Sequence, residues 1–254
     1  MHMLPSERCA CIAEIIRQNG SVSVETLARE LGVSVMTIRR DLAKLDQEGL
    51  IERCYGGAVL RREHTRETSY QEKKNLHAEE KKRIAQKAIE FVRDGDIVFL
   101  DAGTTVYEIA KLLPTKKDIT AITTDLEIAY FLNQTDVETV ICGGRIQKET
   151  GSTIGVFVNM MIRDLFVNTA FFGAQSIDEN FNILTPTAEK AVTKRTICEH
   201  ANSRYLVVDH SKFYRQALMR VNNLNAYDGV ITDRRFTPEE RAKIEQLGIN
   251  IIPV

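Results

Sequence analysis

Apolar positions recur every three or four residues near the start of the chain and gather into short continuous runs farther on. Ile12, Ile15 and Ile16 give one helical face over about 7–18, closed by Asn19 and Gly20. Ser23 stands where a cap is needed for a second helix over about 24–31, which Gly32 stops. Ser34 stands likewise before a third, with Val35, Ile38, Leu42 and Leu45 as its inner face. Two helices crossing closely need a small residue, a tight turn and a branched anchor. Ala28, Gly32 and Ile38 supply them, so the three helices predict a helix-turn-helix. After Gly49, "LIERCYGGAVL" reads as a hairpin turning at Gly56–Gly57, which makes the module a winged helix.

The pattern changes near residue 60. Residues 61–75 are highly charged and poor in large apolar side chains, as in a linker, and a helix carrying Ile84, Ala85, Ala88, Ile89 and Val92 follows. Runs such as "DIVFLDAGTT", "DITAITTD", "VETVICGG", "NTAFFGAQS" and "RYLVVDHS" then alternate with helical segments. Strands this apolar, spaced by helices, predict a parallel sheet covered on both faces. The organisation expected is a winged helix-turn-helix at 1–60, a linker at 61–75, and an α/β domain at 76–254. With 254 residues, 43% of them hydrophobic, the chain has enough apolar material for these cores.

Charge narrows the role of the first module. The chain has a formal net charge of −1, and residues 1–66 hold ten Lys and Arg against nine Asp and Glu. No global positive field draws it to DNA, so contact must come from a local patch. The outward face of the third helix offers one: Met36, Thr37, Arg39, Arg40 and Lys44, with Ser34 at its start. Arginine forks and short hydroxyls are what a major groove recognises, and Arg53, Tyr55 and Gly56 on the wing would lie against the adjacent backbone or minor groove. Five scattered cysteines argue against a disulfide framework and for a reducing cytoplasm, and no apolar run approaches the roughly 20 residues of a membrane span. The five histidines are dispersed and form no metal motif, so no metal and no cofactor is expected.

In the second module, chemistry gathers at strand ends. Asp101, Gly103, Thr104 and Thr105 follow one strand and open a helix, where free N–H groups and hydroxyls cradle an anion. Thr123, Thr124 and Asp125 repeat that layout, Gly143, Gly144 and Arg145 follow a third strand, and Asp209, Ser211 and Lys212 a later one. Open α/β sheets bind ligands at the carboxyl ends of their strands. These loops together suit a phosphorylated polyol or sugar.

"VSVETLARELGVSVMTIRRDLAKLDQEGLIERCYGGAVL" resembles the N-terminal domain of DeoR/GlpR-type bacterial transcriptional regulators, and "DAGTT", "TTDLEIA", "GGR", "FFGAQSID", "VTKR", "DHSKF" and "VITD" follow in the order seen in their sensor domains. The resemblance implies a sensor fold similar to ribose-5-phosphate isomerase, a phosphosugar effector and a homo-oligomeric repressor, dimer or tetramer, bound to double-stranded operator DNA. It also adds Lys81 to the effector site. The sequence departs from the family at Tyr55, often His, at Gln175, often Asp, and at His210, commonly a small or hydroxyl residue. The alternative is a sugar-phosphate isomerase with an accessory DNA-binding module. The isomerases carry an Asp-Gly-Ala-Asp run where this chain has Phe172, Gly173, Ala174 and Gln175, so both acids are gone, although Asp101, Glu189 and Asp209 remain. The expectation is therefore a regulator, not an enzyme.

Overall fold

The computed structural model describes residues 4–19, 21–48, 50–54, 56–60 and 69–254. They fall into two compact units, Met1–Arg62 and Glu63–Val254.

The first unit runs α1 (Pro5–Asn19), β1 (Ser21–Ser23), α2 (Val24–Leu31), α3 (Val35–Gln47), β2 (Ile51–Cys54) and β3 (Gly57–Leu60). Both expected caps form: Ser23 Oγ accepts from the Thr26 N–H and Ser34 Oγ from the Thr37 N–H, each at 3.1 Å. Gly32 ends α2 at φ +64°, a conformation that suits a residue without Cβ. Ile12, Ile16, Leu27, Ile38, Leu42 and Leu45 close one core. Val35, expected on the inner face, is exposed instead, because α3 begins three residues before the first residue of its buried stripe, Ile38. The wing is wider than a hairpin, since β1 pairs with β3 in the order β1-β3-β2. Its turn is made at Gly56 (φ +80°), whereas Gly57 already pairs with Cys54 and Ser23. A Cβ at Gly57 would stand 2.3 Å from the Val22 carbonyl oxygen.

The second unit runs α4 (Tyr70–Lys74), α5 (Ala78–Ala88), β4 (Ile97–Leu100), α6 (Thr104–Ala110), β5 (Thr120–Thr123), α7 (Leu126–Leu132), β6 (Glu138–Ile141), β7 (Arg145–Gln147), β8 (Ser152–Ile154), α8 (Val156–Arg163), β9 (Val167–Phe172), β10 (Ser176–Ile177), β11 (Asn182–Thr185), α9 (Ala188–His200), β12 (Ala201–Val207), β13 (Met219–Asn223), β14 (Gly229–Thr232), α10 (Pro238–Gln246) and β15 (Ile251–Pro253). The expected parallel sheet is present in the order β15-β14-β12-β9-β4-β5-β6. Successive residues supply opposite faces: Phe99 and Phe172 enter one buried cluster, Leu100 and Phe171 the other. The winding starts at β4, proceeds outward through β5 and β6, and resumes on the other side at β9, so the topological switch point lies between β4 and β9.

Two antiparallel additions, β7–β8 and β10-β11-β13, were not expected from the periodicity. The expected linker is also shorter than its charge suggests. Ser69 and Glu72 form a capping box around the start of α4, and Tyr70 is buried. Residues 61–68 lie outside the described residues.

Candidate functional site

Two constellations emerge, one in each unit. On α3, residues Ile38, Asp41, Leu42 and Leu45 face inward, leaving Met36, Arg39, Arg40 and Lys44 outward. Met36 is 72% exposed. Ser34 and Thr37 share a 2.9 Å hydroxyl contact at the helix start. Among the described residues no carboxylate pairs with Arg39 or Arg40, while Lys44 Nζ lies 3.9 Å from Glu48. Arg53 and Gly56 are exposed on the wing, and Tyr55 lies outside the described residues. Asp41, within the same "IRRDL" stretch, has a different task. It is buried and takes a bidentate pair from Arg8, at 2.6 Å from Nε and 3.2 Å from Nη2, which ties α1 to the inner side of α3.

In the second unit an open cavity sits at the switch point. Asp101, Gly103, Thr104, Thr105, Thr124 and Lys212, all expected at a ligand site, line it together. Among the described residues neither the Thr104 nor the Thr105 hydroxyl bonds to protein, and α6 has no side-chain cap, so its first N–H groups face the cavity end unsatisfied. Gly103 is different: its N–H already donates to Asp125 Oδ2 at 3.0 Å.

The other expected residues stand behind the wall. Thr123 donates to the Leu100 carbonyl at 2.7 Å and accepts from the Asp125 N–H at 3.0 Å. Asp125 caps α7 through Glu127 and Ile128, and burial pushes its carboxyl up to about 6 despite three N–H donors that favour the charge. Asp209 is fully buried. Burial pushes its carboxyl up, but Lys212, Ser211 and His77 outweigh that and hold it below the usual range. Lys81 donates to the Lys73 carbonyl rather than facing the cavity, and burial beside Lys212 lowers its ammonium to about 8. Gly143 and Gly144 do not line the cavity, because β6 is the sheet's edge strand. A Cβ on Gly144 would meet Val158 Cγ2 at 2.6 Å and the Ile154 carbonyl oxygen at 2.8 Å, so this glycine admits close packing.

Several lining residues were not singled out by sequence. Lys190 and Lys194 project from one stripe of α9, within the "AEKAVTKR" segment. Lys194 pairs with Asp101 and donates to the Gly173 carbonyl at 2.9 Å, and Gly173 returns its own N–H to Asp101 at 2.9 Å. Lys190 reaches Thr150 Oγ1 at 3.3 Å, and Lys73 reaches Gln175 Oε1 at 2.8 Å. Tyr70, Thr150, Ser152 and Thr153 complete the polar wall, the last three delivered by the β7–β8 hairpin. Four lysines thus line a space with one lining carboxylate among the described residues, Asp101, which Lys194 pairs, while Lys212 also faces the buried Asp209 behind the wall. Such a balance attracts an anion.

The ligating atoms of His77, Asp209 and His210 lie within 4.8 Å of one another. The Asp209 charge there is already faced by the Lys212 and Lys81 ammonium groups, and His210 Nδ1 engages Asp233 at 2.7 Å. The charge balance therefore calls for no added cation.

The sequence matches the DeoR-like helix-turn-helix domain over residues 8–64 and the DeoR C terminal sensor domain over residues 76–234. The chain belongs to the DeoR family. It is 34% identical over 250 residues to the HTH-type transcriptional regulator GlpR of Haloferax volcanii, covering 98% of each chain. To the glycerol-3-phosphate regulon repressor of Escherichia coli K12 it is 34% identical over 232 residues, 91% of this chain and 92% of that one. Among solved structures, ribose-5-phosphate isomerase A of Methanocaldococcus jannaschii aligns with 52% of this chain and 53% of its own at a TM-score of 0.39 and 19% identity. As a DeoR-family member the chain is a DNA-binding transcriptional regulator rather than an enzyme. No helix among the described residues is long and apolar enough to cross a membrane.

Proposed function

We propose that this regulator represses an operon for sugar or polyol catabolism and leaves its operator when a phosphorylated sugar or polyol occupies the cavity at the β4/β9 switch point. The observation that carries the reading is the lining itself: Lys73, Lys190 and Lys212 beside unoccupied Thr104 and Thr105 hydroxyls, with Asp101 already neutralised by Lys194. The name of the Escherichia coli relative, a glycerol-3-phosphate regulon repressor, supports an effector of this class. Residues 172–175 hold no carboxylate to serve as a base, which weighs against isomerisation. Arg39, Arg40, Met36 and Thr37 would enter the major groove, and Arg53 and Gly56 would touch the flanking backbone.

A single winged helix with so little excess charge binds DNA weakly, so two half-sites and a homo-oligomer are part of the reading. The C-terminal unit offers a face for it. On α8, Val158 and Ile162 point inward while Val156 (72% exposed), Phe157 (75%) and Met160 (57%) point outward. A second copy meeting this face would cover apolar area that a solitary chain leaves in water.

The experiment is a thermal-shift screen of phosphorylated sugars and polyols against their unphosphorylated parents. A ligand stabilises by mass action, about 2.7 kcal/mol at a hundredfold excess over Kd. The reading expects stabilisation by at least one phosphorylated compound and none by its parent. Equal shifts from both would remove the anion from the account.

A further inference from the structure

Asp101 is the one carboxylate that lines the cavity among the described residues, and its two oxygens are not alike. Oδ2 is saturated: it takes the Lys194 ammonium and, at 2.9 Å, the Gly173 N–H. Oδ1 takes no hydrogen bond from the described residues, although the side chain is only 8% exposed. It is not sealed off either, so it opens on the cavity that Asp101 lines. An ionised oxygen so placed calls for a donor from whatever enters.

Lys194 decides which oxygen that is. Its ammonium sits between Asp101 Oδ2 and the Gly173 carbonyl, the latter at 2.9 Å, and its side chain is 10% exposed. Turning the other carboxylate edge inward would give up both this pair and the Gly173 N–H, and would leave a buried ammonium without its counter-charge. The carboxylate is therefore fixed in one orientation, with its charge matched and one acceptor presented.

That acceptor sorts the groups of a phosphate ester. A carboxylate accepts and does not donate, and a fully ionised phosphate has no hydrogen to give. Its oxygens would meet a like charge at Oδ1, whereas a hydroxyl has the hydrogen that Oδ1 lacks. Lys190, one turn before Lys194 on α9, and Lys212, in the turn that follows β12, line the cavity with the opposite charge.

We propose that Asp101 is a specificity-determining residue of the cavity: held through Oδ2 by Lys194 and Gly173, it accepts a hydrogen bond from one ligand hydroxyl through Oδ1, so the effector is a phosphate ester with a free hydroxyl at one defined position. The inference rests on the reading of this cavity as the effector site. A site built to bind a hydroxyl rejects the analogue without it, because the buried acceptor is then left unpaired.

The test is calorimetry on the full chain with inorganic phosphate and with glycerol 3-phosphate, ribose 5-phosphate and fructose 1-phosphate, each beside its singly deoxygenated analogues. For a sugar phosphate that binds the wild type, loss of one particular hydroxyl should weaken binding at least about tenfold. In Asp101→Asn the same loss should change affinity by less than about threefold. Inorganic phosphate should bind this variant more tightly than it binds the wild type, since the Lys194 charge is no longer matched; a merely structural role for Asp101 would not produce that gain. The inference is overturned if the wild type binds every deoxygenated analogue as it binds the parent, a result that does not depend on the variant's folding. It is overturned equally if Asp101→Asn keeps the wild-type discrimination, or binds inorganic phosphate more weakly. A wild type that binds none of the phosphorylated compounds would instead overturn the effector reading, and this inference with it.

Discussion

Arg39 and Arg40 are adjacent on α3, exposed, and without a carboxylate partner among the described residues, so their charge is available to DNA. Arg39→Ala or Arg40→Ala should each cost about 1–3 kcal/mol of operator binding where the side chain reads a base. A side chain that touches only phosphate should instead weaken all sequences alike and lower the salt slope. Anisotropy with selected and scrambled DNA separates the two, and unchanged binding in both variants would remove this face from the interface. Lys81 gives a prediction in pH. Burial and Lys212 lower its folded pKa to about 8 from the ordinary 10.5, so between those values the unfolded chain binds more protons. Its contribution to stability must rise with pH across that window, and the cost of burying the charge is fully present below about 8. Denaturation of Lys81→Met should lose this rise between pH 8 and 10.5. A slope unchanged from wild type would show that the ammonium is not desolvated.

Elements with a strong period were readable from the sequence. The caps at Ser23 and Ser34 and the stop at Gly32 stand where spacing places them, because each is fixed by contacts within four residues. The parallel strands were readable because their burial on both faces leaves continuous apolar runs. What escaped depends on partners far along the chain. Strand β1 exists only because β3 lies beside it, and β7–β8 carries too few apolar residues to announce itself. α4 hides in a charged stretch, although Ser69 and Glu72 have capping-box spacing and Tyr70 is its one large apolar side chain. The lysines of α9 share an i, i+4 stripe, but a sequence does not say that the stripe faces a cavity. Gly143 and Gly144 resembled a ligand loop, yet whether a strand's end lies at the switch point is decided by strand order. Gly144→Ala therefore tests packing against binding. It should destabilise the fold by about 1–3 kcal/mol through contact with Val158 and the Ile154 carbonyl, while the affinity of an active sugar phosphate stays unchanged. A stable variant with lost affinity would return this loop to the site.

At the scale of the molecule, the proposed repressor requires an anion in one unit to change DNA binding by the helix of the other. Assembly gives one check: Phe157→Glu should place charge on the exposed α8 face, yield a smaller species in light scattering and weaken operator binding. An unchanged mass would move the interface elsewhere. The ligand releases DNA only if it prefers the DNA-incompetent state, by a coupling of about 1–3 kcal/mol. Within the cavity, Thr105→Val should weaken an active sugar phosphate by about 1.5–3 kcal/mol, the worth of a hydrogen bond to a charged group, as read by calorimetry. Control of DNA binding by an anion in this cavity is read by operator anisotropy during titration with phosphorylated sugars and polyols, for wild type and Lys212→Met. At least one compound should release DNA from the wild type, and Lys212→Met should bind DNA normally and keep it at the same concentration. Release from Lys212→Met at the wild-type midpoint would contradict that control.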